Sequence, residues 1–97
     1  MSNLLDQTLE AIRVRQASAQ AQGVQFVGVF GSVARGEASD GSDIDVAYEV
    51  VGKASLFDVG GILMDLQEAL GHQVDMVDLA HVKPRLRVLM ERDLVRV

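Results

Sequence analysis

One stretch in the first half of the chain constrains both the fold and the chemistry. A loop of small residues, Gly31-Ser32-Val33-Ala34-Arg35-Gly36, is followed after five residues by Ser42-Asp43-Ile44-Asp45. The apolar segment 24–30, rich in β-branched and aromatic residues, comes directly before the loop and predicts a largely buried strand. The alternating segment 43–50 predicts a second strand. The chain therefore joins a strand, a glycine turn and a strand that carries two carboxylates.

Periodicity and turn residues predict the other elements. Leucine and isoleucine at helical spacing mark one helix, and a Ser55 cap, an apolar stripe and Gly71 mark another. The predicted order is helix 3–21, strand 24–30, a short helical turn 34–37, strand 43–50, helix 55–70, strand 73–79, a helix from Pro84, and a brief strand 94–97. We expect a single α/β domain over residues 1–97, with Phe57 in its core.

The glycine loop has the properties of a phosphate-binding turn. Gly31 lacks a Cβ, so backbone and phosphate can approach closely, and Ser32 offers a hydroxyl and a backbone N–H. Arg35 has two possible roles that the sequence leaves open. It could contact phosphate, or it could fix the loop by pairing with Asp40 or Asp43. The loop is neither a P-loop nor a dinucleotide fingerprint, because it lacks both patterns.

The carboxylate pair predicts a cation site. Side chains alternate along a strand, so Asp43 and Asp45 point to the same side while Ile44 and Val46 point into the core. Two carboxylates at this spacing repel unless a cation lies between them, and their hard oxygens favour Mg²⁺ or Mn²⁺ over Zn²⁺. The alternative is a solvated pair on an exposed face, which the preceding glycine loop makes the weaker interpretation.

Asp75 is the candidate for a third carboxylate. It lies between apolar neighbours on what the sequence predicts to be an inner strand, where an acid is costly unless it is paired or bound to metal. If this strand lies beside the strand of Asp43 and Asp45, the three carboxylates form a cluster of the kind that organises two-metal phosphoryl transfer. Asp78, near the strand end, is expected to cap or to face solvent.

Charge and composition exclude several classes. The net charge of −5 argues against a domain that grips nucleic acid unaided, because such binding depends on phosphate neutralisation. The last fifteen residues are nevertheless basic, and they could face an acidic partner or form a solvated helix face. There is no cysteine, no apolar segment of about 20 residues and no leader-like N-terminus. We expect a cytoplasmic protein with no membrane association.

Taken together, the loop and the carboxylate pair closely resemble the G-S-x-A-R-G-x5-S-D-x-D signature of the minimal nucleotidyltransferases, within the DNA polymerase β-like nucleotidyltransferase superfamily. Every fixed position is present, and the resemblance extends to element order and to Asp75. It implies an α/β (α+β) nucleotidyltransferase fold, with a small mixed β-sheet flanked by helices. It also implies transfer of a nucleoside monophosphate from a nucleoside triphosphate to a hydroxyl, with magnesium.

The resemblance also implies a site. Asp43, Asp45 and Asp75 would be the catalytic and metal-binding residues, holding two Mg²⁺ ions, and Asp75 would assist deprotonation of the acceptor. The nucleotide-binding residues would be Gly31, Ser32, Arg35 and Ser42, with ATP as the substrate.

The resemblance further suggests a partner. Small stand-alone members are commonly antitoxins encoded beside a HEPN-family toxin, a ribonuclease, and some transfer AMP from ATP to a toxin tyrosine. The sequence shows no second domain to select a substrate, which fits an acceptor brought by another protein. Two alternatives stay open: a binding module that neutralises its partner by contact alone, and a small-molecule nucleotidyltransferase that works with a separate subunit.

Overall fold

The computed structural model describes residues 3–39 and 41–97. The elements are α1 (Leu4–Ala21), β1 (Val24–Phe30), α2 (Gly31–Ala34), β2 (Ile44–Val50), α3 (Leu56–Leu70), β3 (Val74–Asp78), a 3-10 turn (Leu79–His81), α4 (Pro84–Asp93) and β4 (Val95–Arg96). Among the helices of these described residues, none has both the length and the apolar character needed to cross a membrane.

The four strands form one mixed sheet in the order β3-β2-β1-β4. Strand β2 pairs antiparallel with β1 and parallel with β3, and β4 pairs antiparallel with β1. The expected small mixed sheet flanked by helices is confirmed. The prediction that Asp75 lies on an inner strand is wrong, because β3 is an edge strand and Asp75 is exposed.

Helices cover both faces of the sheet. Helices α1 and α3 pack on one face, where Ile12, Phe26, Ile44 and Leu66 are almost completely buried. A smaller cluster that includes Val27, Ala47, Leu79 and Met90 covers the other face. Strand β1 contributes to both clusters because its side chains alternate between the two faces. The one-residue register shift against β2 between Phe26 and Gly28 lets Val29 face the same cluster as Phe26. The core thus fixes β1 and β2 in the middle of the sheet.

Local signals in the sequence set the ends of the helices. The Ser55 hydroxyl accepts from the Asp58 backbone N–H at 3.1 Å while the Asp58 carboxylate accepts from the Ser55 backbone N–H at 2.9 Å, which is a capping box. Gly71 ends α3 with a left-handed φ of +68°. Both ends agree with the sequence prediction.

Two local predictions are wrong. The short helix begins at Gly31 rather than Ala34, because the positive φ of Gly31 turns the chain directly out of β1. Phe57 is 92% exposed instead of lying in the core. It occupies the first turn of α3, about 140° around the helix from the buried Ile62, so it points away from the sheet.

Gly28 tests the pairing of β1 with β4. A Cβ at this position would overlap the Val95 carbonyl oxygen and the Arg96 Cα, and backbone atoms cannot yield as a flexible side chain can. We expect Gly28→Ala to lower the free energy of unfolding in urea by about 1–3 kcal/mol. Gly61→Ala is the matched control, since nothing lies within 4 Å of its Cβ position in the middle of α3. It should raise stability by about 0.5–1 kcal/mol. Equal effects of the two substitutions would contradict the close approach of β4.

Candidate active site

Asp45 lies where three separate segments of the chain meet. In the antiparallel pair it is opposite Phe30, the residue directly before Gly31. In the parallel pair it is level with Asp75. A hydrogen bond from the Ile44 N–H to the Gln73 carbonyl, at 2.9 Å, begins this parallel pairing. The sheet register therefore brings the glycine loop and the edge-strand acid to opposite sides of one carboxylate.

Gly31 packs directly against this carboxylate. Its φ is +75°, a conformation that L residues rarely adopt, and a Cβ built on it would overlap the Asp45 Oδ2. The loop can approach Asp45 this closely only because it has no side chain at that point. Ser32 follows in α2 and is partly exposed, and within the described residues its hydroxyl makes no hydrogen bond.

The charges of the other two carboxylates act on Asp45. The pKa of Asp45 is raised above its ordinary value of 3.8, first by burial and then by the charges of Asp75 and Asp43, while Arg35 acts in the opposite direction. Within residues 3–39 and 41–97, none of these three carboxylates accepts a hydrogen bond or forms an ion pair. Asp43 and Asp75 are exposed, and Asp45 is half-buried. The site thus concentrates negative charge with no cation of its own in contact.

The side chains of this site are chemically suited to a divalent cation, but they do not form a complete coordination site. The donors are hard carboxylate oxygens: Asp45 and Asp75 are level on paired strands, and Asp43 directly precedes β2. A bound cation would relieve the repulsion that, together with burial, raises the pKa of Asp45. In the part of the chain that the structure describes, however, no group of three His, Cys, Asp or Glu side chains is close enough to hold a metal ion. Bound metal would therefore have to draw these side chains together.

Arg35 fixes the glycine loop, through partners that the sequence did not indicate. Its Nε donates to Glu37 at 2.9 Å and its Nη1 donates to Asp93 at 2.7 Å. These hydrogen bonds raise the pKa of the guanidinium. The predicted pairing with Asp43 is not present, and Asp40 lies outside the described residues. The ion pair with Asp93 connects the loop to the C-terminal end of α4, and phosphate binding by Arg35 stays a prediction.

Ser42 organises the loop that leads into β2. Its hydroxyl accepts from the Ser39 backbone N–H at 2.9 Å, and its own N–H donates to the Ser39 carbonyl at 3.0 Å. The structure thus gives Ser42 a role in shaping the loop before Asp43, and nucleotide binding by Ser42 stays a prediction. Asp78 caps the 3-10 turn by accepting from the Ala80 N–H at 2.9 Å, as expected.

His72 is a residue that the sequence did not assign to the site. It lines a cleft of about 200 Å³ together with Ser42 and Asp43. In sequence it is too far from the carboxylate pair to be associated with them. The parallel pairing of Ile44 with Val74 explains its position, because the residues that precede the two strands must then lie side by side. Only knowledge of which strands pair could have revealed it.

Comparison with known proteins identifies the family. Residues 13–94 match the family model described as polymerase beta, nucleotidyltransferase. The chain belongs to this nucleotidyltransferase family. It is 35% identical over 75 residues to the protein adenylyltransferase MntA of Thermococcus cleftensis, an alignment that covers 77% of this chain and 76% of that protein. The chain is accordingly a nucleotidyltransferase.

Solved structures agree with this family. A structure assigned as a minimal nucleotidyltransferase is 34% identical, has a TM-score of 0.73, and is matched over 92% of this chain and 95% of that one. The crystal structure of a toxin-antitoxin with AMP-PNP has a TM-score of 0.71 over 90% of this chain and 70% of that one, at 23% identity, and shares the fold. The expected minimal nucleotidyltransferase fold is confirmed.

Gly31 and Gly36 form a matched pair for testing the contact with Asp45. Both have positive φ, +75° and +74°, but only at Gly31 would a Cβ meet another group. Each alanine substitution should cost about 1–2 kcal/mol of backbone strain. Gly31→Ala should also displace Asp45 and weaken binding of Mg²⁺–AMP-PNP about ten- to a hundredfold, as expected for losing a hydrogen bond to a charged group. Calorimetric titration would measure this, and equal affinities of the two variants would contradict the contact.

The raised pKa of Asp45 predicts how stability depends on pH in the metal-free protein. The folded state holds the proton of Asp45 more tightly than the unfolded chain does, so this group destabilises the fold as pH rises from about 3.8 through the raised pKa. Asp45→Asn should remove this loss. Relative to the wild type, the variant should gain free energy of unfolding between acid and neutral pH, measured by urea unfolding.

Asp75→Asn should lower the pKa of Asp45, measured by NMR titration. An unchanged pKa would show that the two carboxylates do not interact.

Proposed function

We propose that this nucleotidyltransferase transfers AMP from ATP to a hydroxyl of a partner protein, with Mg²⁺ bound by its carboxylates. The observation that carries the proposal is the position of Asp45, between the glycine loop and Asp75. One side of this carboxylate suits a triphosphate and the other suits an incoming hydroxyl. The resemblance to a protein adenylyltransferase, MntA, supports a protein as the acceptor.

In this proposal the glycine loop holds the triphosphate. The backbone at Gly31 can approach phosphate because no side chain intervenes, and the Ser32 hydroxyl has no other hydrogen bond among the described residues. Asp43 and Asp45 would hold Mg²⁺, which would neutralise charge on the phosphates when bound. A cation bound between Asp43 and Asp45 would offset the repulsion that, together with burial, raises the pKa of Asp45.

Asp75 would receive the acceptor. It is exposed on the edge strand, level with Asp45, so a hydroxyl on the surface of another protein can reach it. A carboxylate oxygen of Asp75 would take the proton as the acceptor oxygen forms a bond to the α-phosphorus of ATP. The bond from that phosphorus to the oxygen bridging to the β-phosphate breaks, and pyrophosphate leaves. An acid buried on an inner strand could not meet a macromolecular acceptor in this way.

We further propose that the partner is a toxin, a ribonuclease of the HEPN family whose tyrosine accepts AMP, and that this chain acts as its antitoxin in the cytoplasm. The signature resemblance supports this assignment. It is also consistent with the shared fold of the toxin-antitoxin structure that contains AMP-PNP.

One observation favours a second candidate. No three ligand side chains among the described residues are preformed for metal, which would also suit an antitoxin that neutralises its partner by contact alone. The two functions predict different effects of the double substitution Asp43→Asn/Asp45→Asn on neutralisation of the partner. If catalysis neutralises the partner, this double variant still binds the partner but no longer neutralises it. If contact is sufficient, neutralisation survives.

A labelling assay tests the transfer directly. It combines this chain with labelled ATP, Mg²⁺ and the purified product of the neighbouring gene. We expect the wild type to label that protein on tyrosine, and Asp75→Asn to slow labelling about 10²- to 10⁴-fold, as for loss of a general base. Asp43→Ala should abolish labelling at any Mg²⁺ concentration, because it removes a proposed metal ligand. Glu68→Gln, an exposed charge change on α3, is the control and should leave the rate unchanged. Wild-type labelling that Asp43→Ala and Asp75→Asn both retain would refute the assigned roles, and no labelling at all would refute the acceptor.

A further inference from the structure

Charge is divided unequally along the chain. Residues 83–97 contain five basic and two acidic side chains, which gives this segment a net charge of +3. Since the whole chain has a net charge of −5, residues 1–82 have a net charge of −8. The basic segment coincides with α4 and β4. Most of this positive charge is exposed, and among the described residues only Arg87 of the five basic side chains forms an ion pair, with Glu91. A partner that approached this segment would meet positive charge on an otherwise acidic protein.

The same helix exposes apolar side chains. Leu86 is 51% exposed, Val88 62% and Leu89 54%. At about 100° per residue, these three side chains fall on one arc of α4 together with the exposed Arg85 and Arg92. Met90 lies outside this arc and is buried. We call these five residues (Arg85, Leu86, Val88, Leu89 and Arg92) the α4 face.

A cleft links the α4 face to the glycine loop. It has a volume of about 330 Å³ and is lined by Arg35, Leu89, Arg92 and Asp93. Arg35 belongs to the glycine loop, and its ion pair with Asp93 at 2.7 Å forms part of the cleft. A side chain of a partner seated in the cleft would therefore touch the residue that fixes the nucleotide-binding loop.

We propose that the α4 face docks an acidic protein surface that inserts an apolar side chain beside Leu89. Leucine and valine between two arginines suit a protein interface, in which an apolar centre is bordered by charge complementary to the partner. A nucleic acid fits less well, since the remaining charge of −8 repels a polyanion and the apolar side chains make no use of phosphate. Where the docked protein is also the acceptor of AMP, this inference rests on the proposed function.

A defined probe tests docking without any activity. We would titrate the full chain with a synthetic helical peptide that carries glutamate and leucine on one face, following backbone amide shifts by NMR. We expect shifts confined to α4 and to Arg35, with affinity falling as salt increases. Shifts centred on other apolar residues, or no binding, would overturn the proposal. Tighter binding of a single-stranded RNA to the same residues would also overturn it.

Matched variants separate the α4 face from exposed apolar surface in general. Leu86→Ser/Leu89→Ser and Arg85→Glu/Arg92→Glu should each weaken the peptide about tenfold or more. The apolar control is Leu56→Ser/Phe57→Ser on α3, where both side chains are at least 90% exposed. The charge control is Arg13→Glu on α1. All variants lie on the surface, so thermal unfolding should confirm that they fold. A loss of affinity in the controls equal to that in the α4 variants would contradict a specific site.

The transfer assay then distinguishes docking from catalysis. With the labelled partner, the α4 variants should raise KM for the acceptor about tenfold or more while the affinity for AMP-PNP stays within about twofold. If the wild type binds the peptide through α4 but labels no partner, the proposed function fails and docking stands. If the partner is labelled equally well by the wild type and the α4 variants, docking fails and the proposed function stands.

Discussion

The pairing of β2 with both of its neighbours is the constraint on which the site depends. Ile44 and Val46 are completely buried, and they fix which side of β2 faces the core. A slip of one residue would bury Asp45 and expose Ile44, so the hydrophobic effect penalises any other register. The same register sets Asp45 opposite Phe30 and level with Asp75. Core packing thus determines the positions of the charged groups.

Two features of the site destabilise the folded state, and the packing of the core has to offset them. Gly31 adopts a positive φ and approaches the Asp45 carboxylate, and burial together with two like charges raises the pKa of that carboxylate. Strain and repulsion of this kind persist where the surrounding structure determines the conformation, and they are typical of sites that bind a ligand of opposite charge. A magnesium-bound nucleotide, the ligand that we propose, would relieve this repulsion.

The sequence predicted what depends on local patterns. The alternation of apolar and polar residues predicted that Asp45 points away from the core. Ser55 and Gly71 predicted the two ends of α3, and runs of β-branched residues predicted the strands. It could not predict what depends on strand pairing between distant segments. The edge position of β3, the exposure of Asp75, the cleft beside His72 and the ion pair of Arg35 with Asp93 all follow from non-local contacts. Local periodicity carries no information about which strands become neighbours.

The most direct test is whether the glycine loop and the carboxylates bind one metal–nucleotide complex as a single site. In an NMR titration of the full chain with AMP-PNP, Mn²⁺ would broaden nearby amides through its unpaired electrons. We predict that five amides broaden together at the same Mn²⁺ concentration: those of Gly31, Ser32, Asp43, Asp45 and Asp75. The double variant Asp43→Asn/Asp45→Asn should remove this broadening. Broadening of the loop or of Asp75 alone, or broadening that survives in the double variant, would contradict a single site.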